Sequence, residues 1–289
     1  MDEVPNNREQ QSSTFILEEN STQLAWLFNL DANLTRAMGG LFSERDDDLT
    51  DIHSILDLAC GSGRWALEVA HLYPDIEVTG VDINKSLLDY VRAHAKAQGI
   101  KNAHYQVTSI LNPLPFPDAS FDLVNARTLY SSLKPTDWPT LLRECNRILR
   151  PGGTLRLTEM ERHSTTSLAN ERMWDLLTRA LYVTGRSFSP DGKHIGINPH
   201  LSRLLREAGF QHIQNRAHTP EISQHVPHYA SWRDQDTYAW KLVEPFVIKS
   251  GVATQEDLAE LQAQALKDYM TDGFYAHVFY FTCWGIKPQ

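Results

Sequence analysis

The chain has 289 residues, 42% of them hydrophobic and 22% charged, with a formal net charge of −9 and a mean hydropathy of −0.39; this is enough to bury a sizeable core, as one large domain or one domain with a cap. The acidic balance argues against a nucleic-acid partner, which is held through clustered Lys and Arg, and Arg143, Arg147 and Arg150 fall at the spacing of a solvated helix face. No apolar run approaches the ~20 residues that span a bilayer, the N-terminus lacks the basic-then-apolar order of a signal peptide, and three dispersed cysteines (Cys60, Cys145, Cys283) suit a reducing cytoplasm rather than a disulfide framework.

In chain order, residues 1–14 are polar and read as a flexible N-terminus. Residues 15–50 carry Leu24, Leu27, Phe28, Leu34 and Met38 at helical spacing, end on Gly39-Gly40 and pass into an acidic link. Residues 51–160 then alternate strand and helix five times, the pattern of a parallel sheet covered on both faces. Ile55, Leu56 and Leu58 form a short apolar run suited to a strand buried on both sides. Gly61 and Gly63 follow; without a Cβ they let the backbone turn sharply and approach a ligand. Trp65, Ala66, Val69 and Ala70 next share one face of a helix. Val78 to Asp82 is a second strand, closed by an acid 19 positions after Gly63. Leu114 to Val124 is a proline-punctuated turn into a fourth strand, and Arg147 to Leu157 is a helix end, a Pro-Gly-Gly turn and a fifth.

The last third is less regular. Residues 161–200 read as a helical insertion with Met173, Trp174, Leu177, Leu181 and Tyr182 on one face. Within 201–289, Leu201 to Phe210 is an amphipathic helix stopped by glycine. Residues 219–272 form an aromatic-rich helical insertion (Tyr229, Trp232, Tyr238, Trp240, Phe246), and Phe274 to Trp284 a final strand. Aromatics above the strand C-termini would make an apolar substrate pocket; the alternative is that they fill the cap's own core.

A glycine turn followed by an acid near the ~20-residue offset holds the ribose of an adenosine cofactor. The bland alternative is a tight turn plus a helix-capping Asp82. Gly61-Ser-Gly63-Arg-Trp-Ala66 also fits the G-x-G-x-x-A dinucleotide pattern. Asp57 separates the tenants, because a pyrophosphate at this helix N-terminus is disfavoured by a neighbouring carboxylate, whereas S-adenosylmethionine brings a sulfonium, an ammonium and no phosphate.

Together, Asp57-Leu-Ala-Cys-Gly-Ser-Gly63 and the three later segments over residues 50–217 resemble the class I S-adenosylmethionine-dependent methyltransferases, particularly the ubiquinone/menaquinone-biosynthesis-like group. The resemblance implies an α/β, Rossmann-like seven-stranded sheet, mostly parallel with an antiparallel last strand, an N-terminal helical lid at residues 15–50 and helical insertions forming a cap. A surface helix rather than a lid is the equal alternative. It implies S-adenosyl-L-methionine held by Asp57, Ala59, Gly61, Gly63, Asp82, Ile83, Ser109, Ile110, Asn125, Ala126 and Arg127. Two departures stand out: Ala59 replaces the first loop glycine, and Ser109 replaces an Asp that often bonds the adenine amino group.

Methyl transfer mainly requires alignment of the acceptor and exclusion of water, with a general base where the acceptor proton has a high pKa. Glu159 is the favoured acid, Tyr130 faces the substrate or packs as an aromatic, and His163 is a further base candidate. Glu159, Glu161 and His163 alternate past the fifth strand's end and share one side; a cap salt bridge competes for Glu159. No metal is expected, since Pro227 interrupts His225 and His228 and no ligand cluster accompanies them. The expected acceptor is a small, partly apolar metabolite. An NAD(P)-dependent oxidoreductase, a repurposed non-methylating S-adenosylmethionine-binding protein and a protein or RNA methyltransferase are the alternatives. Oligomeric state stays open, a homodimer included.

Overall fold

The computed structural model describes residues 21–45 and 48–289, with side chains from Trp26 onward. Residues 1–14, the start of the 15–50 segment and Leu24's side chain lie outside the described residues. A helix α1 (Ser21–Ala37) precedes a sheet built from β1 (Ser54–Leu58), β2 (Glu77–Asp82), β3 (Ala103–Val107), β4 (Phe121–Arg127), β5 (Leu149–Thr165), β6 (Gln211–His218), β7 (Glu221–Ser223) and β8 (Tyr275–Ile286). The strand order is β3-β2-β1-β4-β5-β8-β6, with β7 beside β8. β1 pairs in parallel with β2 and β4, while β8 runs antiparallel between β5 and β6. The fold is thus the expected mostly parallel Rossmann-like sheet, with the short β7 making eight strands. The chain leaves β1 toward β2 on one side and returns to β4 on the other, so a crevice opens at the C-terminal ends of β1 and β4.

Helices cover both faces. α2 (Arg64–Leu72) and α3 (Lys85–Ala97) follow β1 and β2; α4 (Trp138–Ile148) precedes β5; α5 (Leu168–Val183), α6 (Leu201–Glu207), α7 (Tyr229–Lys249) and α8 (Gln255–Tyr269) complete the chain. The apolar spacings read from the sequence bury Trp65, Ala66, Val69 and Ala70 of α2 and Met173, Trp174, Leu177 and Leu181 of α5. Local capping sets several starts: Asn84 accepts from Leu87 N–H, Ser167 from Asn170 N–H, and Thr254 with Asp257 closes a capping box. Such caps are each worth about 1 kcal/mol.

Two expectations are corrected. The alternation breaks between β3 and β4, where Pro113, Pro115 and Pro117 remove backbone donors and restrict the residues before them, so an irregular crossing replaces a helix. The fifth strand also continues past its expected end at Leu157, to Thr165, so that Glu159, Glu161 and His163 lie within it, because β8 pairs with it through Thr165↔Ala276.

One buried charge pair ties the segment before β1 to the sheet. Arg156 on β5 and Glu44 form an ion pair with side chains 1% and 2% exposed. Arg156 also donates to Asn125 Oδ1 at 2.8 Å, and its guanidinium lies 5.9 Å from the Phe42 ring. Removing one partner from such a pair strands the other's charge. Glu44→Ala is expected to cost about 3–5 kcal/mol in urea unfolding followed by circular dichroism. The paired change Glu44→Leu with Arg156→Met is expected to recover most of that loss; equal instability of both variants would show that burial, not pairing, sets the cost.

Candidate active site

The turn after β1 is held from three sides. Cys60 N–H donates to Val81 O at 2.9 Å and Gly63 N–H to Cys60 O at 2.8 Å. Asp82 at the end of β2 accepts Gly61 N–H through Oδ2 and Asn84 N–H through Oδ1, both at 2.8 Å. Burial pushes its pKa up while these amide bonds pull it down. Gly63 has φ +67°, and a Cβ there would stand 2.8 Å from Tyr105 Cε1 and 2.9 Å from Val91 Cγ1. Gly61, at φ +55°, faces open space, with nothing within 4 Å of a Cβ built on it. One glycine therefore serves packing and the other leaves room for a ligand. Ala59 adopts φ 49°, a left-handed conformation that costs a residue with a Cβ roughly 1–2 kcal/mol. That strain accounts for the usual glycine at this position.

Acids gather beside the turn. Asp57, 3% exposed, accepts Asn125 Nδ2 at 2.7 Å. Burial pushes its pKa up to about 7, against the opposing pull of Arg127 and Asn125. Asp31, on α1, accepts Trp65 N–H at 2.9 Å and the Ser62 hydroxyl at 3.4 Å, and pairs with Arg127. It supplies α2 with the N-terminal cap that Gly63 cannot. Arg127 also donates to Thr35 Oγ1 at 3.2 Å. Asp31 is one residue that sequence reasoning missed, because nothing local marks an acid on a preceding helix as part of this turn.

On the other side of the turn, apolar side chains stand exposed: Ile83 at 53%, Val107 at 47% and Leu111 at 55%. Asp82 pairs with Val107 across β2 and β3, so Ile83 and Val107 flank one ledge at the strand ends. Ile110 packs against the core, and Ser109 spends its Oγ on Leu111 N–H at 3.3 Å. Val107 and Leu111 were absent from the sequence reading. Ala126 is a buried strand residue. Open space at Gly61, an apolar ledge and the buried Asp57 carboxyl, which has no ion pair among the described residues, suit an adenosine carrying a cationic amino-acid arm and no phosphate.

Glu159 is buried within β5, and its oxygens accept Leu129 N–H at 2.7 Å and Tyr130 N–H at 3.2 Å. It thereby steadies the turn in which Thr128 takes φ 56°, an uncommon conformation for a β-branched residue. Burial pushes its pKa up to about 8. Glu161 likewise accepts Ile195 N–H and Gly196 N–H, at 2.8 and 3.0 Å. Tyr130 follows the Thr128 turn, and burial with Glu159 and Glu161 nearby raises its pKa. His163 sits further along, its ring 4.5 Å from that of Trp174 and its Nδ1 3.8 Å from Asp236 Oδ1. Among the described residues no three His, Cys, Asp or Glu converge as metal ligands. Cys60, Cys145 and Cys283 are free and buried.

Comparison with known proteins meets this geometry. A methyltransferase-domain family profile matches residues 55–153. The demethylmenaquinone methyltransferase of Lactococcus lactis is 29% identical over 193 residues, covering 61% of this chain and 72% of that protein. A ubiquinone/menaquinone biosynthesis C-methyltransferase from Shewanella is 30% identical over 171 residues, covering 55% of this chain and 66% of that protein, just under two thirds of its length. The phosphoethanolamine N-methyltransferase 2 of Haemonchus contortus, solved with phosphomonomethylethanolamine and S-adenosylhomocysteine, shares the fold. It shows a TM-score of 0.53 and 20% identity, covering 88% of this chain and 52% of the other.

Two expectations follow from the turn. Ala59→Gly relieves a left-handed alanine and is expected to raise stability by up to about 1 kcal/mol in chemical denaturation; a loss would show that Ala59's methyl packs. A cationic ligand beside Asp57 favours its ionised form, so binding below pH about 7 must expel a proton. S-adenosylmethionine affinity is therefore expected to fall as pH drops below that value, by up to about tenfold per unit. Calorimetry in buffers of different ionisation heat should show proton release there; a pH-independent affinity contradicts the contact.

Proposed function

The chain is a class I S-adenosylmethionine-dependent methyltransferase related to the ubiquinone/menaquinone-biosynthesis enzymes, and from that premise we propose that it methylates an oxygen, nitrogen or carbon nucleophile of a small, partly apolar metabolite bound beneath α5, α7 and α8. The observation that carries the cofactor assignment is the pair of carboxylates, Asp31 and Asp57, at the turn into α2. A dinucleotide would bring its pyrophosphate to that same helix N-terminus, so this placement favours the sulfonium cofactor over NAD(P).

In this reading Asp82 accepts ribose hydroxyls, since each oxygen has capacity beyond its one amide bond. Ile83, Val107, Ile110 and Leu111 offer the adenine an apolar ledge. Asp57, with Asn125 fixing its orientation, holds the cationic amino-acid arm, and Arg127 with the α2 amides accommodates its carboxylate. Ala59, Gly61 and Gly63 shape the turn, while Ser109 and Ala126 contribute backbone. The bound cofactor supplies an electrophilic methyl on a positively charged sulfur. The protein's own task is to align the acceptor and exclude water, which α1 serves as a lid: it packs on α7 through Trp26 and Tyr238, ring centroids 5.0 Å apart, and reaches the cofactor turn through Asp31. Glu159 acts by positioning the turn that carries Tyr130.

The net charge of −9 disfavours an RNA acceptor, and three free buried thiols suit the cytoplasm. No described helix is long and apolar enough to cross a membrane.

S-adenosylhomocysteine is expected to raise the Tm in a thermal-shift assay and NAD(P)H to leave it unchanged; stabilisation by the nicotinamide alone reverses the assignment. Asp82→Ala is expected to abolish most of that shift. Glu159→Gln keeps one amide acceptor of two and is expected to cost about 1–3 kcal/mol of stability, lowering turnover more than S-adenosylhomocysteine affinity. Release of S-adenosylhomocysteine with candidate metabolites separates a methyltransferase from a non-methylating binder.

A further inference from the structure

The side of α7 that meets α1 carries an amide with nothing to bond. Gln235 is 4% exposed, and its Oε1 and Nε2 are both buried without a hydrogen bond, so turning the amide over changes nothing. Buried polar groups of native proteins are paired with few exceptions, and one left open points to a water, an ion or a ligand. From α1, the Trp26 indole Nε1 is a second buried donor without a partner.

Helical spacing brings the two together. Ser231, Gln235 and Tyr238 fall at i, i+4 and i+7 on one stripe of α7. Asn33 Nδ2 donates to Ser231 Oγ at 3.0 Å. Trp26, two turns before Asn33 on the same face of α1, sets its ring 5.0 Å from that of Tyr238. These contacts run antiparallel, so Gln235 lies at the level between them. There α1 presents Asn29, which is exposed, and Leu30, which is apolar, and neither serves the amide. The adjoining stripe of α7 is already engaged with α5: Asp236 accepts Asn170 Nδ2 at 3.3 Å, and Trp240 packs on Trp174. Gln235 does not line the ≈ 20 Å³ cavity around Asp236 and belongs to the α1 seam. Tyr238 also lines a groove of ≈ 490 Å³, with Thr237, Lys241 and Leu266, which is within the size range of small-molecule sites. The Trp26–Tyr238 contact is therefore the partition between that groove and the seam. On its other side α1 reaches the cofactor turn, where Asp31 accepts Trp65 N–H at 2.9 Å.

We propose that Gln235, with Trp26 Nε1, is a specificity determinant that reads a donor and an acceptor placed side by side on the methyl acceptor, the edge of a lactam or of a cis secondary amide. The inference rests on the methyl-transfer reading. A primary carboxamide presents one acceptor and one donor in a plane, and its complement is an N–H beside a C=O. The ligand N–H donates to Gln235 Oε1, and Gln235 Nε2 donates to the ligand carbonyl, whose second lone pair takes the Trp26 indole N–H. The Trp26 and Tyr238 rings part to admit this edge from the groove. A buried site built to pair such groups rejects an analogue lacking one of them far more strongly than an apolar pocket rejects a missing methylene.

ε-Caprolactam is a compact, partly apolar probe with this edge, and N-methylcaprolactam lacks the donor. In ligand-observed NMR titrations of the full chain with S-adenosylhomocysteine, the lactam is expected to bind at least about tenfold more tightly than its N-methyl analogue. Gln235→Met keeps the length of the side chain. It is expected to abolish that preference and to raise the Tm of the unliganded protein by about 2 °C or more, because two unserved polar atoms leave the interior. Trp26→Phe keeps a ring against Tyr238 and is expected to weaken lactam binding about fivefold. A Gln235→Met chain that melts lower or fails to fold shows that the amide serves the fold, through a bound water or otherwise, and overturns the proposal. So does wild-type protein that binds both probes equally or neither, or a preference that survives in Gln235→Met. Any of these beside an intact rise in Tm with S-adenosylhomocysteine leaves the methyl-transfer reading standing; absence of that rise in the wild type removes the reading and the subsite with it.

Discussion

A carboxylate buried at the end of the central strand organises this molecule. Asp57 is enclosed at the sheet's switch point with no direct cation of its own, and burial holds its pKa near 7. Isolating an acid there would be costly, and the surroundings answer in layers. Asn125 bonds Asp57 and passes the connection to Arg156, whose charge is matched by Glu44. On the solvent side Arg127 faces Asp57 while pairing with Asp31. The remaining deficit is one that, in the proposed function, the cationic arm of the cofactor would fill.

The same principle recurs above the sheet. From spacing alone Glu159 reads as a reactive acid that shares a side with Glu161. In three dimensions each grips two consecutive backbone amides of a loop that borders the site. Irregular backbone close to a ligand needs such anchors, because its N–H groups lie outside any ladder. The carboxylates convert flexible connections into fixed walls, and the unanchored polar atoms of Asn170, Trp174 and Gln235 stand out against them.

Much of the core was legible because its signals are local. The strand at Ile55–Leu58 declares itself by unbroken apolarity, and the positive φ at Gly61 and Gly63 demands residues lacking a Cβ. The proline-rich crossing before β4 misled the five-fold alternation, since strand spacing alone does not reveal whether a helix lies between. The extension of β5 was hidden for a related reason: its last residues are polar, and only pairing with β8 keeps them in a strand.

By itself the sequence determined the parallel core of the sheet, the glycine turn after β1 and the acid at the end of β2, because each depends on residues a few positions apart whose backbone requirements can be read directly. Tertiary structure decided which distant side chains meet. Asp31 caps α2 from 34 residues away, Arg156 finds Glu44 across 112, and His163 on β5 meets Asp236 of α7. Such pairs leave no periodicity in the chain. The first and last arise from the packing of α1 and α7 against the rest of the chain, and the second from the segment before β1 folding onto β5.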